Sequence, residues 1–226
     1  ASSGLLSFLQ FDADLAQAYQ SESGQVLDLR QTIEDVTVTL NWSYADQNRI
    51  AIAFSVVSGA GNEKLYHPTQ YTLTNDSGIY LPLIHGYGTG GNDIPDLKLP
   101  SGQVETILSF DAASISDPLD LLDLHLELTL EEIPSLRSDR NSDDLVVYQN
   151  EVNTTTTVVN GVSSQSDMIG PFIFDFEVPF QEGKTIYPNQ VATSANIPVT
   201  LKELVITPSE TKVTLCFNEP EPGYDW

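Results

Sequence analysis

Strict alternation of apolar and polar side chains leaves much of this chain no stable choice but the β-strand. Val36, Val38 and Leu40 alternate with Thr37, Thr39 and Asn41, and Ile50, Ile52, Phe54 and Val56 alternate with Ala51, Ala53 and Ser55. Successive side chains of an extended backbone point to opposite faces, so each series puts its apolar members on one side of a sheet. Asp46-Gln47-Asn48 lies between them and supplies turn chemistry, which predicts a hairpin. Further strands are predicted over 70–74, 79–84, 104–110, 121–130 and 172–178. Leu122, Leu124, Leu126, Leu128 and Leu130 form a complete apolar face, and Asn75-Asp76-Ser77-Gly78 is a turn. Short strands joined by polar turns predict an all-β chain built as an antiparallel sandwich. One short helix is expected before them. Asp12 and Asp14 suit its first turn, Leu15, Ala18 and Tyr19 give it an apolar face, and Ser21-Glu22-Ser23-Gly24 ends it.

The pattern breaks between 135 and 170. Residues 135–144 are polar and charged, and 153–157 are a threonine-rich run. This reads as a long mobile excursion, with room for its own hairpin through 146–148 and Val158-Val159.

An internal repeat bears on domain organisation. At a constant offset of 161 residues, Val36-Thr37-Val38-Thr39-Leu40 meets Ile197-Pro198-Val199-Thr200-Leu201, and Ile52, Phe54 and Val56 meet Val213, Leu215 and Phe217. The turn Asp46-Gln47-Asn48 falls on Thr207-Pro208-Ser209. Upstream, Arg30-Gln31-Thr32 resembles Asn189-Gln190-Val191, with the register off by two. The expected organisation is an arm or short helix over 1–23, a sandwich over 24–182, and the start of a second, truncated sandwich over 183–226.

Composition excludes several function classes. Nine Lys and Arg stand against 32 Asp and Glu, a formal charge of -23. Such a chain repels phosphate backbones and anionic lipid, which argues against nucleic-acid or direct membrane-surface binding. It favours a solvated acidic surface and leaves room for an adventitious divalent cation. The single cysteine, Cys216, rules out an internal disulfide and any Cys-rich zinc site. No run approaches the roughly 20 apolar residues of a membrane span.

The segments 36–56, Gly170-Pro171-Phe172-Ile173-Phe174-Asp175-Phe176-Glu177-Val178-Pro179 with Lys184-Thr185, Asn189-Gln190, and Ile206-Thr207-Pro208-Ser209-Glu210-Thr211 carry a resemblance. Over residues 27–217 the chain resembles the bacterial domain-of-unknown-function family 4179, found outside the membrane in anti-sigma-factor-like proteins. The resemblance implies an immunoglobulin-like sandwich, a membrane-anchored parent with this part on the extracytoplasmic side, and no catalytic residues to carry over.

Candidate chemistry is sparse. Asp123, His125 and Glu127 share one face of a predicted strand, a donor set that suits zinc or a similar cation. Thr129 and Glu131 continue the polar series, so a solvated strand face is the favoured reading. Asp139, Asn141 and Asp143 open like a calcium loop, but Asp144 stands where its glycine belongs and Asn150 where its glutamate belongs. Gly86, Gly88 and Gly91 match G-x-G-x-x-G, yet Asn92-Asp93-Ile94-Pro95 follows, which cannot open a phosphate-binding helix. These glycines read as a loop between strands. No nucleophile elbow surrounds a serine, and Cys216 reads as a small buried or edge residue. Trp42, Tyr44, Tyr71, Tyr80 and Tyr87 could line a carbohydrate or peptide surface, but core packing is favoured. The function that the resemblance implies is a non-catalytic extracytoplasmic sensing or interaction domain of a membrane-anchored, anti-sigma-factor-like regulator. It has no catalytic residues, metal ligands or cofactor, and a protein partner or self-association through sheet edges. A structural cell-surface spacer and a divalent-metal or carbohydrate module are the alternatives.

Overall fold

The computed structural model describes residues 12–59, 64–90, 102–115, 120–133, 168–194 and 197–218. Over these residues it is all-β apart from one helix, α1 (Ala13–Gln20). The Asp12 carboxylate caps that helix by accepting from the Leu15 N–H at 3.0 Å, which satisfies one of the donors a helix start leaves unpaired. Twelve strands follow among the described residues: β1 (Gln25–Ile33), β2 (Val36–Asp46), β3 (Arg49–Ser58), β4 (Leu65–Asn75), β5 (Leu83–Gly90), β6 (Gln103–Asp111), β7 (Leu121–Ile133), β8 (Met168–Gln181), β9 (Lys184–Ile186), β10 (Gln190–Ser194), β11 (Ile197–Ile206) and β12 (Thr211–Phe217).

The first eight strands form one curled sheet in the order β4-β7-β8-β2-β3-β6-β5, with β1 beside β2. One edge of β2 is shared. Residues 36–43 pair with β1, while Ala45 and Asp46 run parallel to Phe180 and Gln181 of β8. This handover lets the apolar faces of β2–β3–β6 and β7–β8 enclose a common core. Leu40, Ile52 and Phe54 from one side meet Leu126, Leu128 and Phe172 from the other, all at most 1% exposed. Full burial of such a side chain stabilises by roughly 1.5–3 kcal/mol. The outer face of β2–β3–β6 carries a second cluster of Trp42, Tyr44, Ala51, Ala53 and Ile107, covered by Leu15 and Ala18 of α1. The alternation therefore buries both faces of β2 and β3.

Several elements differ from expectation. The strand expected at 79–84 lies at 83–90, with Tyr80 held only by a bridge to Thr74. Asn75 explains the delay: its side chain accepts from the Ile79 N–H at 2.8 Å and prolongs the turn. Gly86 and Gly88 consequently sit within β5 and not in a loop, while Gly91 lies outside the described residues. Strand β8 begins at Met168, inside the span read as an excursion. The remainder of that excursion, including Asp139, Asn141, Asp143 and Asn150, lies outside the described residues. Strand β1, not among the expected strands, does alternate: Leu27, Leu29 and Ile33 pack against the core while Asp28, Arg30 and Thr32 face out, and the bulge between Val26 and Leu29 shifts only its register against β2.

Strands β9 to β12 form a separate sheet. β9 and β10 pair in turn along one edge of β11, and β12 pairs along the other. Its wiring repeats β1–β2–β3 at the offset of 161. Val38↔Val56 and Leu40↔Phe54 become Val199↔Phe217 and Leu201↔Leu215. The bulge between Leu40 and Trp42 recurs between Leu201 and Glu203. The pairs Leu29↔Leu40 and Gln25↔Ser43 become Gln190↔Leu201 and Ile186↔Leu204. The upstream strand thus keeps the same offset, and the two-residue slip suggested by side-chain similarity is not present in the pairing.

Candidate functional site

Among the described residues, strands β7 and β8 build a cleft that gathers titratable side chains. Their register sets Asp123 opposite Glu177 and His125 opposite Asp175. Antiparallel partners project to the same face, and Asn75 and Asp76 from the end of β4 and its turn complete the lining. The cleft encloses about 360 Å³ and is open to solvent. His125 Nδ1 lies 2.6 Å from Asp175 Oδ1, and Nε2 lies 3.1 Å from Glu127 Oε1. Carboxylates only accept, so satisfying both contacts requires the imidazolium, in which both nitrogens donate. The hydrogen bond to Asp175, then that to Glu127, accordingly raises the His125 pKa above its ordinary value.

Of the trio suggested by the sequence, His125 and Glu127 are in contact, and Asp123 lines the same cleft. Asp175, the closest partner of His125, is absent from that trio. Its alternation with Phe174 and Phe176 marks it as outward-facing, but only strand register places it opposite the histidine. A metal at His125 would have to displace its proton and its contacts to Asp175 and Glu127. Among the described residues no group of three or more His, Cys, Asp or Glu side chains is placed to hold one.

The second polar constellation is buried, where the two repeated units meet. Asp46, fully buried, accepts from Tyr44 Oη at 2.7 Å, from the Asn48 and Arg49 N–H groups at 2.9 Å each, and from the Ser209 N–H at 3.2 Å. Burial, then the hydrogen bond to Asp46, pushes the Tyr44 phenol far up, which keeps it a donor. Asn48 Nδ2 donates to the Val205 carbonyl, Thr207 Oγ1 and the Glu210 carbonyl at 3.0–3.2 Å. Thr207 and Ser209 are the repeat counterparts of Asp46 and Asn48. Asp46 thus bonds the counterpart of Asn48, and Asn48 bonds the counterpart of Asp46, the reciprocal pattern of a local two-fold. Next to this junction, buried Arg49 donates to Asp12 Oδ2 at 2.6 Å, to Ser109 Oγ and to His85 Nε2 at 2.9 Å. Burial, then the guanidinium charge, lowers the His85 pKa, consistent with a neutral acceptor there. Lys212 and Asp111 add an ion pair of 2.9 Å across the same seam.

Of the aromatic candidates, Trp42, Tyr44 and Tyr71 pack within the fold. Trp42 and Tyr44 stack at 6.2 Å in the cluster under α1, and Tyr71 meets Phe110 edge-on. Tyr80 is exposed, and Cys216 is exposed on β12, an edge strand among the described residues. Among the described residues no helix is long and apolar enough to cross a membrane.

No protein-family model matches the chain, and no protein of curated function matches it. Among solved structures it is similar to the conserved domain protein from Bacillus anthracis, at 13% identity and a TM-score of 0.48, covering 83% of this chain and 52% of that one. The chain spans about half the length of that protein.

Proposed function

We propose that this chain is a non-catalytic interaction domain on the extracytoplasmic side of a membrane-anchored, anti-sigma-factor-like regulator. In this reading residues 24–182 form an immunoglobulin-like sandwich, and the strands after 183 open a second module that binds by having its sheet covered. One observation carries the binding role. Leu40, Ile52 and Phe54 are at most 1% exposed beneath β7 and β8, whereas their repeat counterparts Val213 and Leu215 are 50% and 54% exposed and Leu201 is only partly buried. An apolar sheet face left open is a surface for a partner. The role without chemistry rests on the family resemblance, which carries over no catalytic residues. The location rests on the family resemblance.

Two measurements test the reading. A reporter enzyme that is active only outside the cytoplasm, fused after residue 226 of the membrane-anchored protein, should be active; an inactive fusion of intact length refutes the location. A dye that fluoresces on apolar surfaces should bind the native chain and lose most of that signal in Leu215→Asp. Equal signal in the two chains refutes the binding face. The repeat itself also favours a second reading, a cell-surface spacer made of similar modules. A spacer would leave regulated gene expression unchanged when the face is blocked by Leu215→Asp, and a regulator would not.

A further inference from the structure

We infer that the turn Asp46-Gln47-Asn48-Arg49 couples helix α1 to the C-terminal sheet, so that loosening either one loosens the other. Each residue of the turn holds a different neighbour with its side chain. Asn48 donates to the Val205 and Glu210 carbonyls and to Thr207 Oγ1, in and after β11. Gln47 Oε1 accepts from the Gly183 N–H at 3.2 Å, where the chain crosses into the second sheet. Arg49 reaches the opposite way, to Asp12 at the cap of α1. Asp46 ties these together: Oδ1 accepts from the Asn48 and Arg49 N–H groups, and Oδ2 from the Ser209 N–H and Tyr44 Oη.

A second line of contact runs along the floor beneath the helix. Tyr44 stacks on Trp42 at 6.2 Å, and Trp42 meets Tyr19 of α1 edge-on at 5.6 Å. Just after the helix, the Ser23 carbonyl accepts from Gln181 Nε2, and the Gln181 carbonyl accepts from the Gln47 N–H. Among the described residues no hydrogen bond or ion pair joins α1 to the second sheet directly, so the polar connection between them runs through the turn.

Both ends can respond. A helix of eight residues is too short to persist in water by itself, so α1 stays folded only while docked. Small antiparallel sheets are likewise marginal without packing. The Arg49 side chain is buried and lies 2.6 Å from the Asp12 carboxylate. A shift of the turn that separates this pair leaves a buried cation unpaired, which is costly. Coupling through such a shared element acts in both directions. A partner that displaces the second sheet therefore frees α1 and uncovers Trp42, Ala51 and Ala53 beneath it. This coupling holds whatever the partner and location of the domain.

Hydrogen exchange on the full 226-residue chain tests it, segment by segment. Asn48→Ala removes side-chain bonds to the second sheet alone, yet it should speed exchange at least threefold in α1 as well as in β11 and β12, with β7 and β8 unchanged. Asp12→Ala removes the cap and the Arg49 pair, yet it should speed β11 and β12 at least threefold. In the double variant the acceleration of β11 and β12 should fall short of the product of the single effects, because a coupling already broken cannot be broken again. Lys212→Ala, which removes the seam pair with Asp111 and leaves the turn intact, should reproduce the pattern of Asn48→Ala more weakly. Unchanged α1 exchange beside faster β11 and β12 overturns the inference. So does uniform acceleration of every strand, and so do single effects that simply multiply.

Discussion

The Ser209 backbone N–H donates to the Asp46 carboxylate at 3.2 Å, joining two turns that are counterparts in a 161-residue repeat. The bond is buried, with Asp46 at 0% and Ser209 at 1% exposure. A hydroxyl or amide at position 46 could not accept all four hydrogen bonds that converge there.

Asp46→Ala should therefore be among the most damaging single changes. It strands Tyr44 Oη and three backbone N–H groups in a buried site. Each unsatisfied buried group costs about 1–3 kcal/mol, partly recovered if water enters. A loss of about 3 kcal/mol in urea unfolding is expected, and an unchanged midpoint would contradict the role assigned to this carboxylate.

Asn48→Ala tests the seam more selectively. Its amide nitrogen donates across the seam to Val205, Thr207 and Glu210, so the substitution removes contacts to the second sheet. Hydrogen exchange should accelerate in β11 and β12 while β7 and β8 keep their protection, because local opening follows local contacts. Uniform acceleration across both sheets would mean that they unfold as one unit.

His125 gives a pH dependence of known sign. Its folded pKa is raised by Asp175 and Glu127, so the folded state holds the proton more tightly than the unfolded chain. The resulting stabilisation is fully present below the ordinary histidine value of about 6.5 and fades as pH rises through the elevated folded value. The ring and both carboxylates are substantially exposed, so the effect is small. His67 and His85 are shifted down chiefly by burial, and they act oppositely, losing stability as pH falls. Comparison with His125→Gln isolates the contribution of this one ring: the stability difference should shrink from pH 6 towards pH 9. A gap that widens would reverse the assignment.

Asp28 and Asn189, also 161 residues apart, hold left-handed backbone at φ 51° and 48°. Asp and Asn tolerate this region, whereas a β-branched side chain does not. Asp28→Val and Asn189→Val should each cost about 1–2 kcal/mol, and the glycine variants should stay within about 1 kcal/mol of the parent, as read by thermal melts.

Gly24 is fixed by packing and not by its dihedral angles. A Cβ there would overlap the Trp42 indole, and Trp42 is 2% exposed. Gly24→Ala should cost about 1–3 kcal/mol and perturb the tryptophan near-UV signal. A silent substitution would show that the indole has room to move.

Much of this architecture is readable where one local rule acts alone. The β2–β3 hairpin, the leucine ladder of β7 and helix α1 appear where alternation, turn chemistry and capping place them. Strands are missed or misplaced where a second influence interferes: the Asn75 side chain delays β5, and Gln31 interrupts the apolar series of Leu27, Leu29 and Ile33 on the inner face of β1. The histidine cleft is half legible, because alternation puts His125 and Glu127 on one face but says nothing of the strand beside them.

By itself, then, the sequence determined which side chains share a face, which segments turn, and that one hairpin occurs twice, since all of these follow from the geometry of neighbouring residues. Tertiary structure alone decided that Asp175 meets His125, that the two repeated turns interlock through Asp46 and Asn48, and that one apolar face is sealed while its counterpart stays open. Those outcomes depend on register and on which strands lie alongside, and the energy of a contact between residues 50 or 163 positions apart leaves no mark on local pattern.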